Sequence, residues 1–190
     1  MFKNVVLLVK KTFTYSEKPE KEREVFLNRI AKTPEEKRVY VDACGIPECL
    51  QREYGRALRG VTVCDTKGGH KFHRIHVVAA VIHEKNETKK IAPECHNGSM
   101  NGEHFERWFE CKLLNKVKTG CAIFMDRASF HRKKHLEKIG EKADVTLLFL
   151  PAYSPDFNPI GKDWANMKRT LRDTASLCDL LKTAVYDYWH

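Results

Sequence analysis

The sequence predicts an α/β fold, with a mixed five-stranded sheet and helices packed on both of its faces. In the second half of the chain, short apolar runs alternate with amphipathic segments, the pattern of strand-helix-strand units with parallel strands. Earlier, two apolar segments follow each other across a short polar turn, which is typical of an antiparallel hairpin. An apolar content of 42% is enough for a buried core.

The individual elements follow from the spacing of apolar residues. A first helix is predicted at residues 20–31, where Val25, Phe26 and Ile30 recur with helical spacing. Five short apolar runs bounded by polar or turn residues are predicted strands. They cover residues 38–41, 73–82, 86–92, 121–125 and 145–150. Further amphipathic segments predict helices at residues 102–118, 132–142, 158–172 and 176–188.

The charge and the cysteines narrow the class of protein. The chain has 34 Lys and Arg against 25 Asp and Glu, for a net charge of +9. This balance favours a nucleic-acid partner, although many basic proteins bind nothing acidic. The seven cysteines are odd in number and include no C-x-x-C pair, so we expect free thiols and a cytoplasmic location. The apolar run at residues 5–9 is too short for a signal sequence or a membrane span, so we expect no membrane partner.

Two aspartates directly follow predicted strands. Asp42 comes after residues 38–41 and Asp126 after residues 121–125. Polar side chains past strand ends collect at one edge of such a sheet, and the position after Ile160 would face the same edge. Converging carboxylates suit Mg²⁺ and the two-metal chemistry of phosphodiesters. For either aspartate alone, a turn or cap role is the more common interpretation.

Four motifs follow one another along the chain. They are Tyr-Val-Asp-Ala-Cys-Gly at 40–45, Tyr-Gly-Arg-Ala-Leu-Arg-Gly at 54–60, Phe-Met-Asp-Arg-Ala-Ser-Phe-His at 124–131 and Leu-Pro-Ala-Tyr-Ser-Pro-Asp-Phe-Asn-Pro-Ile at 150–160. Together they resemble the DDE catalytic domain of bacterial insertion-sequence transposases related to the mariner superfamily, over roughly residues 38–172. The resemblance implies an RNase H-like fold, with Asp42 and Asp126 as catalytic acids and metal ligands. It further implies cleavage and joining of double-stranded DNA, at transposon ends and target, with Mg²⁺ or Mn²⁺ as cofactor.

The chain departs from the family pattern at the third acid. That acid follows Asn-Pro-Ile directly in the family, where this chain has Gly161. Asp163 is two residues further on, about 200° around a helix, and is expected to point away. Asp156 precedes the helix and is the other nearby acid; Ala43 and Arg127 replace an acidic residue and an asparagine of the family. We therefore expect strand transfer to be absent or very slow.

Basic residues near the two aspartates are the predicted DNA contacts. They are Arg127, His131, Arg132, Lys133, Lys134, Lys162, Lys168, Arg169 and Arg172. As a set they suit sequence-independent, salt-sensitive contacts with phosphates, whereas each one alone is more commonly a solvated side chain. The alternative function is a non-catalytic DNA-binding or interaction protein that keeps the RNase H-like scaffold.

Histidine and aromatic residues could suggest a zinc site and a base-stacking surface, but we predict neither. His70, His73 and His76 alternate between the faces of a strand, so they do not converge on zinc. His131 and His135 share a helical face but lack a third ligand. The large aromatic residues are predicted to pack in the core rather than stack on bases. They are Phe105, Trp108, Phe109 and Trp164.

The resemblance divides the chain at residue 37. Residues 38–190 are the predicted DDE endonuclease domain. Residues 1–37 resemble the linker that follows a helix-turn-helix region in the family, and they are too short to supply that region. This predicts a fragment, a decayed reading frame or an isolated catalytic domain, located with DNA at the nucleoid. We leave open that the chain forms a homodimer.

Overall fold

A computed structural model describes residues 19–47, 50, 55–64, 74–84, 87–98, 100–174 and 181–189. The described strands form one five-stranded sheet in the order β3-β2-β1-β4-β5. They are β1 (Arg38–Pro47), β2 (Arg74–Glu84), β3 (Glu87–Asn97), β4 (Ala122–Met125) and β5 (Thr146–Phe149). Strands β1, β2 and β3 pair antiparallel, whereas β4 pairs parallel with both β1 and β5. The mixed sheet confirms the predicted fold class.

Helices cover both faces of this sheet. They are α1 (Glu20–Lys32), α2 (Gly102–Trp108), α3 (Lys133–Lys142), α4 (Ile160–Thr174) and α5 (Leu181–Trp189). Residues of α2 and α3 form one hydrophobic cluster with alternate residues of the central strands, such as Val39 and Val41. Residues of α1, α4 and α5 form a second cluster with the opposite face, which includes Tyr40 and Phe124. The alternation along β1 shows why its neighbouring residues belong to different cores.

Strand β1 is longer than its sequence indicates. The predicted end at residue 41 is wrong, because the ladder with β2 continues from Val39 opposite Ile82 to Pro47 opposite Arg74. Asp42 therefore lies inside a strand and pairs with Ala79 rather than following the strand end. The stretch that contains Gly45 looks like a turn locally, but hydrogen bonds from a distant strand keep it extended.

Other boundaries differ for similar reasons. Strand β3 runs to Asn97 rather than ending at residue 92, with a register irregularity where Ala92 has φ 51°. The helix predicted at residues 102–118 is α-helical only to Trp108. It continues as a π-helical turn, Phe109–Leu113, and a 3₁₀ turn, Leu114–Lys116. Helix α5 is described from Leu181, and residues 175–180 lie outside the described ranges.

Helix α1 packs on the sheet although much of its surface is exposed. Phe26 is buried, with its ring 5.8 Å from Phe124 in an edge-on arrangement, whereas Val25 is 55% exposed. Phe26 also stacks on Phe157 in the segment that precedes α4. A division of the chain at residue 37 stays a prediction, but this helix shares the core of the sheet. None of the described helices has the length and apolar character needed to cross a bilayer.

Candidate active site

A cleft of about 550 Å³ contains all three predicted acid positions, Asp42, Asp126 and Gly161. The parallel pairing of β1 with β4 ends at Tyr40 opposite Phe124, and the two aspartates each lie two residues beyond that pair. Parallel strands therefore deliver both carboxylates to one edge of the sheet. Arg127 and Ala128 of the loop after β4 also line the cleft, and the rest of the wall is the segment before α4. Its residues in the cleft are Leu150, Pro151, Ala152, Tyr153, Ser154, Pro155 and Asn158.

Asp42 is held by hydrogen bonds to both of its carboxylate oxygens. The backbone N–H of Ala43 donates to Oδ1 at 2.8 Å, and the indole Nε1–H of Trp164 donates to Oδ2 at 3.0 Å. Burial raises the pKa of Asp42 to about 6, and the negative charge of Asp126 adds to that rise. The two hydrogen bonds and the ammonium group of Lys168 act in the opposite direction. The fold thus places the Asp42 carboxylate where burial disfavours its negative charge.

Asp126 begins the loop after β4, as the sequence predicted. Its side chain is 55% exposed, and the N–H of Ala128 donates to Oδ1 at 3.2 Å. The Nδ1 atom of His131 lies 3.2 Å from the backbone oxygen of Asp126 and 3.5 Å from Oδ1. Because His131 is buried against Phe105, with ring centroids 4.3 Å apart, it supports the loop from inside.

Asn158 connects the cleft wall to the strand that carries Asp42. Its Nδ2 donates to the backbone oxygen of Val41 at 3.0 Å, and its Oδ1 accepts from the N–H of Ile160 at 3.4 Å. One side chain therefore joins β1 to the first turn of α4 and fixes where Gly161 lies. The asparagine of the Asn-Pro-Ile motif therefore has a structural role, because its side chain holds α4 against β1.

Gly161 leaves space rather than filling a tight position. It is exposed at the cleft, and a Cβ atom added there would meet no atom within 4 Å. Its φ is outside the left-handed region that favours glycine. Neither the backbone nor the packing requires glycine, so a longer side chain could be accommodated.

The two acids considered as replacements lie elsewhere. Asp156 forms an ion pair with Arg23 of α1, with Nη2 and Oδ2 2.6 Å apart. The backbone oxygen of Asp163 accepts from the hydroxyl of Tyr188 at 3.3 Å, and its carboxyl lies near His83 and Lys90. Neither lines the cleft. Among the described residues, no group of three or more His, Cys, Asp or Glu side chains is arranged to hold a metal.

The predicted DNA-contacting residues differ in their exposure and in the side chains that they contact. His131 is buried beside Asp126, and its contact with DNA stays a prediction. Arg132 is exposed, but its guanidinium pairs with the buried Glu106, with Nε and Oε1 2.7 Å apart. Arg127 lines the cleft and lies 3.4 Å from Glu22. Lys168 hydrogen-bonds to the thiol of the buried Cys44, and its positive charge lowers the pKa of Asp42.

The remaining basic residues are mostly at the surface. Lys133, Lys134, Lys162 and Arg169 are exposed, and Arg172 is half-buried.

The described residues also bear on the histidine, aromatic and cysteine predictions. His135 lies 2.8 Å from Glu106 and does not form a metal cluster with His131. Phe105, Trp108, Phe109 and Trp164 are buried, as predicted. His70 and His73 lie outside the described residues. The five described cysteines are free thiols, which agrees with the prediction for them. They are Cys44, Cys64, Cys95, Cys111 and Cys121.

Sequence reasoning missed two residues that shape the cleft. Trp164 was predicted only as a core residue, yet its indole also donates a hydrogen bond to Asp42. Its position about one helical turn beyond Gly161 places it on the same side of the helix and could have indicated this contact. Arg23 was one charge among many in its segment, yet it joins α1 to the cleft wall. It donates to Ser154 Oγ at 2.6 Å, and its guanidinium lies 4.1 Å from the ring centre of Phe157.

Solved structures resemble the chain in fold. The Mos1 strand transfer complex matches with a TM-score of 0.69 at 15% identity, over 98% of this chain and 61% of the Mos1 chain. The Mos1 mariner paired-end complex with Mn matches with a TM-score of 0.69 at 14% identity, over 98% and 62%. The catalytic core domain of BIV integrase matches with a TM-score of 0.51 at 10% identity, over 81% of each chain. The chain is therefore RNase H-like in fold, and it spans about three fifths of the Mos1 chains.

Sequence comparison gives the family. No curated protein sequence matches the chain. The family model described as DDE superfamily endonuclease matches residues 37–182, which is most of the chain and includes every position discussed in the cleft. The chain therefore belongs to the DDE superfamily endonucleases.

Proposed function

We propose that the chain is the catalytic domain of an insertion-sequence transposase whose DNA cleavage and strand transfer are impaired by Gly161. The observation that carries this proposal is the shared cleft, where parallel strands deliver Asp42 and Asp126 beside the position of a third acid. Membership of the DDE superfamily endonucleases supports a phosphodiester substrate. The resemblance to Mos1 complexes supports double-stranded DNA at transposon ends and target as that substrate.

Asp42 and Asp126 would hold a divalent cation, Mg²⁺ or Mn²⁺. Such an ion supplies charge stabilisation and an activated water or 3′-hydroxyl in phosphodiester chemistry. The donors fit one hard cation, because carboxylate oxygens are its preferred ligands and Mg²⁺ commonly binds through one or two carboxylates with waters. The Mos1 structure determined with Mn supports this choice of cofactor.

The chain's own residues prepare the cleft in different ways. Hydrogen bonds from Ala43 and Trp164 orient Asp42, and the backbone around Asp126 is fixed by His131. Lys168 brings a positive charge toward Asp42, which favours its ionised form but also competes with a metal cation for that carboxylate. With no carboxylate at position 161, a second cation has too few protein ligands, which is the physical basis of the proposed impairment.

The test restores the missing acid. Gly161→Glu should raise Mg²⁺- or Mn²⁺-dependent nicking of transposon-end DNA by on the order of a hundredfold, the scale of one electrostatic group in an active site. The control is Asn166→Glu, which adds the same charge to an exposed position about 140° around α4 from Gly161. Robust cleavage by the unmodified chain would overturn the impairment, and equal rates for the two variants would overturn the role of position 161.

DNA binding is the part of the proposal that does not need the third acid. The exposed Lys134 and Lys162 are candidates for phosphate contact, and replacing either by Gln should lower the slope of log affinity against log salt by about 0.9 per lost contact. The control is Lys142→Gln, an exposed lysine at the far end of α3. Binding to duplex DNA that fails to weaken with added salt would count against a phosphate-contacting surface.

A non-catalytic DNA-binding protein is the second candidate. It is favoured because, among the described residues, the cleft contains two carboxylates rather than three, and because Lys168 places a positive charge near one of them. A titration with Mn²⁺ separates the two functions, since only the transposase proposal requires a cation at Asp42 and Asp126. The division at residue 37, the homodimer and the nucleoid location belong to the proposal and depend on sequence alone.

A further inference from the structure

Trp164 connects the interior of the protein to one carboxylate of the cleft. It is 5% exposed, and its indole N–H donates to Oδ2 of Asp42 at 3.0 Å. We propose that Trp164 is a positioning residue that fixes the Asp42 carboxylate for cation binding. This inference rests on the proposed function, because it concerns the same cleft.

The chemistry of the indole makes this contact directional. The Nε1–H group is only a donor, and a buried indole N–H normally requires an acceptor. Bonds to an ionised acceptor are roughly twice as strong as bonds between neutral groups. Because Oδ1 already accepts from Ala43, the Trp164 bond engages the second oxygen and restrains rotation of the carboxylate. Each oxygen can accept a further bond, so both keep a lone pair that a cation can use.

The C-terminal helix holds Trp164 in place. The ring of Trp189 in α5 packs against that of Trp164, with centroids 5.0 Å apart and planes at 56°. Helix α5 is itself attached to strand β3, since Lys90 Nζ donates to the backbone oxygen of Tyr188 at 3.0 Å. The N–H of Cys95 also donates to the hydroxyl of Tyr186 in α5 at 3.2 Å. Supporting residues of this kind commonly tune the metal affinity of the ligands that they orient.

Trp189 is a natural control for Trp164. It is 3% exposed, and its indole Nε1 lies 3.2 Å from the sulfur of Met167. Replacing either tryptophan by phenylalanine removes a buried indole N–H and reduces the ring size in the same cluster. Only the change at Trp164 removes a contact with Asp42.

The experiment compares the Mn²⁺ affinity of the full chain with those of Trp164→Phe and Trp189→Phe by calorimetric titration. Trp164→Phe should weaken binding by about tenfold or more, the usual effect of losing a residue that orients a metal ligand. Trp189→Phe keeps an aromatic ring against Trp164 and removes no contact with Asp42, so it should weaken binding much less. Equal affinities for Trp164→Phe and the unmodified chain would overturn the inference, as would an equal loss in both variants.

A second measurement needs no metal. In the NMR spectrum, Asp42→Ala should speed the solvent exchange of the Trp164 indole proton and leave that of Trp189 unchanged. An unaffected Trp164 proton overturns the positioning contact whatever the metal titration gives. If that proton responds but the unmodified chain and its Gly161→Glu variant bind no Mn²⁺, the proposed function has failed and the contact has not.

Discussion

The two aspartates of the cleft belong to neighbouring strands β1 and β4 or the loop directly after them, yet the fold holds them differently. Asp42 lies within β1, accepts hydrogen bonds on both oxygens and has a pKa raised to about 6 by burial. Asp126 lies just after β4, and its side chain is 55% exposed. Burial fixes the position of Asp42 and makes its charge unfavourable, whereas exposure leaves Asp126 solvated. In the proposed cation site, Asp42 would therefore be a ligand of fixed direction and Asp126 a more adaptable one.

This difference also explains how the cleft tolerates two nearby carboxylates. The negative charge of Asp126 helps to raise the pKa of Asp42. The repulsion between the two carboxylates is therefore smaller when Asp42 is protonated or when a cation is bound. A cation that binds only the folded state would therefore stabilise it, by an amount that grows with the cation concentration relative to the dissociation constant.

The largest expected effect is on the pH dependence of stability. The folded-state pKa of Asp42, about 6, lies above its ordinary value of 3.8, so the folded chain binds this proton more tightly than the unfolded chain. The free energy of unfolding should therefore fall as the pH rises from about 4 to about 6, by at most about 3 kcal/mol from this group. Urea denaturation across that range measures the change.

Two variants assign that pH dependence to its source. Asp42→Asn should remove it, because the side chain at position 42 can no longer bind a proton. Asp126→Asn should retain most of it, since burial is the main cause of the Asp42 shift. Loss of the pH dependence in Asp126→Asn alone would reverse the comparison between the two residues.

A lengthened side chain tests how tightly each carboxylate is held. Asp42→Glu adds a methylene group inside a paired strand and should destabilise the fold by about 1–3 kcal/mol. Asp126→Glu makes the same change on an exposed loop and should stay within about 0.5 kcal/mol. Urea denaturation at pH 7 gives both values. Equal losses would mean that the loop after β4 is as constrained as the strand.

The sequence predicted the exposed half of this comparison better than the buried half. The apolar run before Asp126 ends where β4 ends, so local pattern placed this aspartate correctly. Asp42 was placed at a strand end because the residues after it resemble a turn. Only the ladder with β2, a strand about thirty positions further along the chain, keeps that segment extended. Local pattern does not contain such information.

Side-chain contacts across the core were also beyond the sequence. Trp164 and Asp42 are separated by 122 positions, and neither residue type predicts the hydrogen bond between them. The burial of His131 depends on Phe105 from α2, which packs against its ring. In contrast, the fold class and the convergence on one cleft followed from strand order and from the motifs. The apolar pattern and the motifs thus located the cleft, whereas long-range packing determines the burial and hydrogen bonding of its residues.

The support beneath Asp126 gives the next prediction. His131→Phe keeps a ring against Phe105 but removes the contact between Nδ1 and the backbone oxygen of Asp126, so it should cost about 1 kcal/mol of stability. His135→Gln is the control, because it changes an exposed histidine that contacts Glu106 rather than Asp126. Urea denaturation compares the two. An unchanged stability for His131→Phe would show that Asp126 does not depend on its buried neighbour.

The smallest expected effect concerns the charges around the exposed side of the cleft. Arg127 and Glu22 form an ion pair at 3.4 Å, with both side chains about half exposed, so Glu22→Gln should change stability by less than about 0.5 kcal/mol. It should raise duplex-DNA affinity at low salt, because Arg127 loses the carboxylate that neutralises it. Glu24→Gln, an exposed position on the same helix, is the control for net charge.

The excess effect of Glu22→Gln over Glu24→Gln should disappear in about 1 M salt, where screening acts within about 3 Å. Binding measured at low and high salt decides this. A difference that survives at high salt would mean that the Arg127 side of the cleft is governed by desolvated contacts, as the Asp42 side is. If the difference disappears at high salt, the charges beside Asp126 are screened by solvent, because Arg127 lies at the surface. The Asp42 side of the cleft differs, because burial there is the main cause of the raised pKa.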